Sequence, residues 1–461
     1  MRRIKIQLTV ISLLMAIVTQ AQVFNRVYPP KFPPYEFLQK DTIQHENYFF
    51  LTPGWHSKKA KYLPHLAVLD ANGFVFWYKR FHSPLSFPMD LKQQQNGMYT
   101  YSFRRAPLEP PKNFVMDAHF NLIDSVGGFA PYTNTDEHDF RILPNGNYLI
   151  LTNHDTILDL SGMNFNGTKG SDTTHVVWRI IQEMDTNKKL VFQWHSKDYI
   201  SISDFDTRYN YNPTHHSLVH GNGLDVADDG NIIASFRVLN SIYKINRKTG
   251  EIMWVFGGKK NQFKFLDDKG ISGQHNPGFT DGKLTMFDNG NLKEDSRSRG
   301  VMFELNEQTL SATKKWEYYR PDAIYCKRRG SFQFLENDYK LISWGVVFRP
   351  KPTFTLLNQK DQIAAELYFL DTVQTYRTFM EPLTEPISRP KITCKNGMLS
   401  APSGYSDYTW STGKKTSTIT VKEQGYHQAY VSYGEGMLGS EVVYISDPKN
   451  ACATLSVVTG Q

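Results

Sequence analysis

The 461-residue chain has only three cysteines, Cys326, Cys394 and Cys452, and none is spaced as CxxC or with His in a zinc-ligand pattern. A structural zinc module or a dithiol redox site is therefore not expected. No glycine-rich nucleotide loop follows a strand-like segment, which removes a cradle for nucleotide phosphates. The basic residues, 52 Lys and Arg against 45 Asp and Glu, give a net charge of +7 but form no dense stripe interleaved with aromatics. Nucleic-acid binding is thus disfavoured, while anionic small molecules remain compatible with the mild positive bias. Long amphipathic helical patterns are scarce. Past the N-terminus no apolar run is long enough to cross a bilayer as a helix.

What the chain has is a repeat. Six strand-like segments, 46-ENYFFLTPG-54, 97-GMYTYSFR-104, 146-GNYLILTN-153, 230-GNIIASFR-237, 282-GKLTMFDN-289 and 338-DYKLISWG-345, each begin at or just after a turn-forming Asn, Asp or Gly. Their starts lie about 50 residues apart, with one longer gap of about 84. Each is followed by a strand–turn–strand pattern, of which 241-SIYKINRKTGEIMWVFG-257 is the best formed. With 14% aromatic residues to fill sheets, this period predicts an all-β fold with a six-bladed β-propeller over residues 22–385. The long gap carries two polar insertions, Asp155–Thr174 and Ser196–Pro213, which read as loops.

Met1 to Ala21 reads as a cleaved export signal: Arg2, Arg3 and Lys5, a short apolar core from Leu8 to Val18, then Thr19-Gln20-Ala21. The protein is accordingly expected in the periplasm, secreted or at the cell surface, where disulfides persist and Cys394 could pair with Cys452. Pro386 and Pro390 mark a linker, and residues 386–461 show short, evenly spaced strands expected to form a small immunoglobulin-like sandwich.

In a propeller, equivalent positions of successive blades converge on one axis. Just upstream of the turns stand His138, His220 with Asn222, His275 and Ser331. Three histidines at equivalent places point to chemistry more than to packing. They come from separate blades with no aligned carboxylate except Asp139, so a metal is not expected. Arg237 ends the fourth repeat's strand and offers the fixed fork of donors that suits a tetrahedral oxyanion; Arg141 and Arg299 are weaker candidates.

The runs 138-HDFRILPNGN-147, 220-HGNGLDVADDGNIIASFR-237, 241-SIYKINRKTGEIMWVFGG-258 and 274-QHNPGFTDGKLTMFDNGN-291 with 297-RSRG-300 resemble the arylsulfotransferase family. The resemblance implies sulfuryl transfer from an aryl sulfate to a phenol by a ping-pong reaction through a sulfated histidine, with no cofactor. By motif it implies His275 as nucleophile, His220 and Asn222 as the His-x-Asn pair, Arg237 as the sulfate-binding Arg, His138 as the upstream His and Ser331 at a hydroxyl position, with Asn222 and Ser331 expected to bind substrate. Related sequences often have Asp where this chain has Asn276. His138 or His220 would pass the proton, with His220 preferred. Two other classes are weighed. One is a quinoprotein dehydrogenase, suggested only by 248-KTGEIMW-254. The other is a non-catalytic propeller that binds sulfated or anionic ligands. The oligomeric state is open.

Overall fold

The computed structural model describes residues 22–23, 27–41, 43, 46–54, 60–105 and 110–458; the signal reading of residues 1–21 falls outside them. The fold is all-β, with only four short 3-10 turns among the described residues.

Five antiparallel meanders follow one another along the chain. They run from Ser86–Gln93 to Leu122–Val126, Thr135–Ile142 to Leu190–His195, Gly221–Val226 to Ile252–Gly257, His275–Thr280 to Ser311–Tyr318, and Ser331–Phe334 to Ile363–Phe369. A sixth sheet is assembled from both ends of the region. Asn47–Leu51, His65–Leu69 and Val75–Arg80 come from the N-terminal side, and Thr378–Pro382 from the C-terminal side pairs along Asn47–Leu51. Tyr35–Gln39 adds in turn to the sheet that ends at Ile363–Phe369. Two interlocking closures therefore tie the termini of the region together.

The first strand of each sheet touches the first strand of the next. Ser86–Gln93, Thr135–Ile142, Gly221–Val226, His275–Thr280, Ser331–Phe334 and Thr378–Pro382 form a ring in that order, and the last returns to the first. In the five continuous meanders the repeated turn joins first to second strand; at Gly146 and Gly230 the backbone takes φ of +84° and +79°, which a side chain would oppose. The core follows from two-residue periodicity. Consecutive residues of a strand face opposite neighbours: Phe49 packs toward Leu341 and Phe50 toward Tyr99, while Ile233 packs toward Leu284 and Ala234 toward Leu149. Six apolar clusters thus fill the six spaces between sheets.

The first insertion is not wholly loop, because Tyr148–Leu158 runs on through Asp155 and pairs as far as Leu158↔Thr174. The second carries the short turns Ser196–Asp198 and Ile202–Asp204. The C-terminal residues build three small three-stranded groups around Leu399, Trp410, Val443 and Ile445, with Cys394 and Cys452 disulfide-bonded. One group continues the sixth sheet, since Leu438 pairs with Trp77 and Met437 with Tyr78. The C-terminal region is therefore built onto the ring and not strung from it.

Charge closes the centre of the ring. Lys92 Nζ lies 2.6 Å from Asp90 and 2.5 Å from Asp139, and Arg377 Nη1 lies 2.9 Å from Asp90 and 3.1 Å from Asp139. All four side chains are almost fully buried. Burial alone would raise the Asp139 carboxyl, but Lys92, Arg377 and Arg141 hold it well below the usual carboxylate range. Arg377 also donates to the Asn222 carbonyl at 2.7 Å, so the cluster joins four sheets. Removing one member strands the others. Arg377→Met is expected to destabilise the protein by about 3–5 kcal/mol, read as a lower urea midpoint; an unchanged midpoint would show that the cluster bears no stability.

Candidate active site

Four of the ring's first strands are irregular. Register shifts interrupt the pairing between Met89 and Lys92, Thr135 and Phe140, Gly221 and Gly223, and His275 and Gly278. A bulge re-aims side chains that a regular strand would alternate. Here the bulges hold Asp90 and Asn276 at positive φ and contain or adjoin His138, His220 and His275.

His138, His220, His275 and Arg237 line one cleft of about 640 Å³ at one end of the ring. The sequence-expected catalytic residues are therefore neighbours in space, across three sheets. Its walls also include Phe87, Met89, Val238, Val346 and Tyr376, an apolar surface fit for an aromatic ring. The rings of His138 and His220 meet edge to face, 4.5 Å between centroids.

Each imidazole has a determinable tautomer. Asn289 Nδ2 donates to the carbonyls of Cys326 at 2.8 Å and Arg329 at 3.0 Å, which leaves its Oδ1 to accept from His275 Nδ1 at 2.7 Å. Nδ1 of His275 therefore carries the proton and Nε2 the lone pair. That lone pair accepts from the Arg329 amide at 3.1 Å. Burial, then the Arg237 charge, hold the His275 imidazole well below its ordinary range, so it is neutral. His220 Nδ1 lies 3.3 Å from Arg179 Nη2. Arginine only donates, so Nε2 of the neutral ring bears the hydrogen. Burial, then His138 and Arg179, push His220 well down as well. His138 Nδ1 lies 2.6 Å from the buried carboxylate of Asp136, whose other oxygen holds Arg179 at 3.1 Å. Asp136 thus orients two histidines, one directly and one through Arg179.

Three guanidiniums in the cleft have no carboxylate partner among the described residues: the half-buried Arg237 and Arg329, and the exposed Arg328. Arg237 Nη2 donates to the Lys327 carbonyl at 2.8 Å and to Asn291 Oδ1 at 3.2 Å, and its buried Nε has no partner. Arg329 donates to Gln374 at 3.0 Å; burial, then Arg328, push it down to about 10. It has φ of +65° in front of Gly330 at +103°, a strained turn of the kind that collects at functional sites.

Asn222 and Ser331 do not line this cleft. Asn222 is fully buried and its amide donates to the Gln274 carbonyl at 2.7 Å, one residue before His275. Ser331 Oγ donates to the Thr378 carbonyl at 3.0 Å. Both fix neighbouring first strands. Arg299 is buried among Asp268, Asp288 and Glu317, and Arg141 lines a separate cleft with Asn276 and Glu381. Asn276 accepts from the Phe332 amide at 3.2 Å, so Asn289 and not Asn276 orients His275. Sequence reasoning missed Asn289, Arg329, Arg179 and Asp136. Asn289 had a usable signal, since it follows the second strand of its sheet just as Arg237 does.

The arylsulfotransferase (ASST) family model matches residues 36–377, most of the chain. The chain belongs to the arylsulfotransferase family. The match takes in every residue lining the cleft and leaves out the C-terminal region. No curated protein matches the arylsulfotransferase chain. Solved structures with similarity include a protein of unknown function from Bacteroides caccae, at 10% identity over 72% of this chain and 98% of that one, with TM-score 0.45. Others are a virginiamycin B lyase from Staphylococcus aureus, at 12% over 73% and 100% with TM-score 0.31, and the β-propeller domain of Myceliophteria thermophila Cps50 (Swd1), at 10% over 76% and 88% with TM-score 0.35.

The lowered values of His275 and His220 have a direction that can be measured. Both rings stay neutral as pH falls past 6.5, the unperturbed value. Ring-nitrogen NMR shifts of these two histidines are expected to stay constant between about pH 7.5 and about pH 6, where an ordinary histidine titrates. A midpoint near 6.5 for either would contradict the burial and charge argument.

Proposed function

We propose that residues 22–385 are a six-bladed propeller whose cleft moves a sulfuryl group from an aryl sulfate to a phenol without a nucleotide donor. Residues 386–461 are read as an immunoglobulin-like sandwich attached to it, and residues 1–21 as the signal that exports the whole. The single observation that carries the reaction is the neutral His275. Its Nδ1–H is locked on Asn289, and its Nε2 lone pair, now on the Arg329 amide, belongs to a cleft with two half-buried guanidiniums, Arg237 and Arg329, that lack carboxylate partners among the described residues.

In the first half-reaction His275 Nε2 forms a bond to sulfur as the bond from sulfur to the aryl oxygen breaks. Charge stays on the peripheral oxygens, as in phosphoryl transfer, so positioning and electrostatic stabilisation dominate. Arg237, Arg329 and the His220 Nε2–H are the donors for those oxygens. The Arg329 amide now on Nε2 must be released for attack, and a sulfuryl oxygen is the natural acceptor to take it over. The departing phenolate takes the Nε2 proton of His138, which enters this step as the imidazolium and leaves it as the neutral ring with its Nδ1–H still on Asp136. We assign the proton to His138 in preference to His220, because the Asp136 carboxylate at Nδ1 supports a cationic ring there, whereas His220 is held neutral and accepts from Arg179. In the second half, His138 takes the proton of the acceptor phenol as its oxygen displaces His275 from sulfur. Atoms and charge balance over the cycle.

His275→Ala is expected to abolish turnover of 4-nitrophenyl sulfate with phenol as acceptor; retained turnover would overturn the assignment. His138→Gln is expected to lower kcat/KM for phenyl sulfate, which in a ping-pong cycle reports the first half-reaction alone, by about 10²–10⁴-fold, within the range of general acid catalysis. The loss in kcat/KM should be far smaller for 4-nitrophenyl sulfate, whose leaving group needs no proton. Equal losses in kcat/KM on both donors would exclude His138 as the acid.

A further inference from the structure

The cleft carries more positive charge than one sulfuryl group uses. Five cations line it, Arg104, Arg237, Lys327, Arg328 and Arg329, against one carboxylate, Glu137. Arg237 and Arg329 are the inner pair already assigned to the sulfuryl oxygens. Arg104 is offset by Glu137 at 3.1 Å and lies over the Phe87 ring at 4.7 Å. Lys327 and Arg328 remain. Both are exposed, and neither has a carboxylate partner among the described residues. They are held there by the backbone: the Lys327 carbonyl accepts from Arg237 and from Asn291 at 3.1 Å, and the next residue but one is the strained Arg329. The segment that carries the inner guanidinium thus also presents two outer cations to the same space. A cleft of about 640 Å³ also holds a ligand of drug size, more than one benzene ring and one sulfate group.

We propose that Lys327 and Arg328 form an outer anion subsite, so that the preferred substrates are phenolic compounds bearing a second anionic group, a carboxylate or a further sulfate, away from the reacting oxygen. The proposal rests on the transferase reading above for the orientation of the ligand, with the sulfuryl group inward on Arg237 and the ring along Phe87, Val238 and Val346. The second anion then faces outward to the two free cations. Like charges converging without counter-ions repel each other, and a dianionic ligand relieves this where a monoanion does not. Because the outer contact is the same in ground and transition states, it belongs in KM and not in kcat.

The test uses a matched pair of donors, 4-carboxyphenyl sulfate and its neutral isostere 4-carbamoylphenyl sulfate. Wild-type protein is expected to favour the carboxylate by about tenfold in kcat/KM, the scale of one hydrogen bond to a charged group. The difference should lie in KM and shrink as salt is raised. The combined Lys327→Ala, Arg328→Ala variant is expected to bring the ratio close to one, and Arg328→Glu alone to reverse it. A wild-type ratio near one, or a preference that survives both variants, would overturn the subsite. If wild-type protein turns over neither donor, the transferase reading fails. Titration calorimetry of the same two compounds then decides the subsite separately: tighter carboxylate binding that the variants lose sustains it, and equal binding or none overturns it.

Discussion

The buried charge cluster at the axis is what the arrangement depends on. Asp90 and Lys92 stand in one first strand and Asp139 in another, while Arg377 immediately precedes a third and reaches a carbonyl of a fourth. Four charges in a dry interior are tolerated only when each finds its partners at short range. That requirement leaves little freedom in how the strands approach one another. It also blocks the centre of the ring, so the cleft with the histidines and the one lined by Arg141, Asn276 and Glu381 are separate spaces.

From that fixed centre the reactive side chains are placed by short relays. Asp139 accepts from Lys92, Arg377 and the Leu224 amide. One turn of chain away, Asp136 holds His138 and Arg179, and Arg179 holds His220. Asn289 plays the same part for His275. Arg377 also packs over the Tyr376 ring, 4.8 Å from its centroid, so the charge cluster and the aromatic wall of the cleft meet at that residue. The Arg329 turn serves both His275 and the cleft. Its amide sits on the His275 Nε2 lone pair, its guanidinium faces the cleft, and its positive φ is a conformation that persists only because the surrounding structure holds it.

Much of this was legible in the chain. The Asn, Asp and Gly turns marked the second strand of each sheet, and counting upstream from them led to His138, His220 and His275, because equivalent positions of a repeat meet in space. The family resemblance pointed to the same residues and to Arg237. What was not legible depended on bulges and on partners far apart in sequence. Ser331 and Asn222 were expected on the substrate. Yet each occupies a first strand where the side chain satisfies a neighbouring strand's backbone, at Thr378 and Gln274. Whether a polar residue at a strand's start faces ligand or a carbonyl depends on a one-residue shift in register, which composition does not encode. Arg377 escaped notice for a different reason: it immediately precedes a strand, Thr378–Pro382, that completes a sheet begun more than three hundred residues earlier.

The central claim is that His275 Nε2 is a nucleophile and not merely a ligand-binding group. Incubating the protein with an aryl sulfate and no acceptor, then mapping its peptides by mass spectrometry under alkaline conditions, tests this directly. The account requires one added sulfuryl group on the peptide containing His275, removed when a phenol is supplied. An unmodified His275 peptide, recovered from protein that has released phenol in stoichiometric amount, would contradict it.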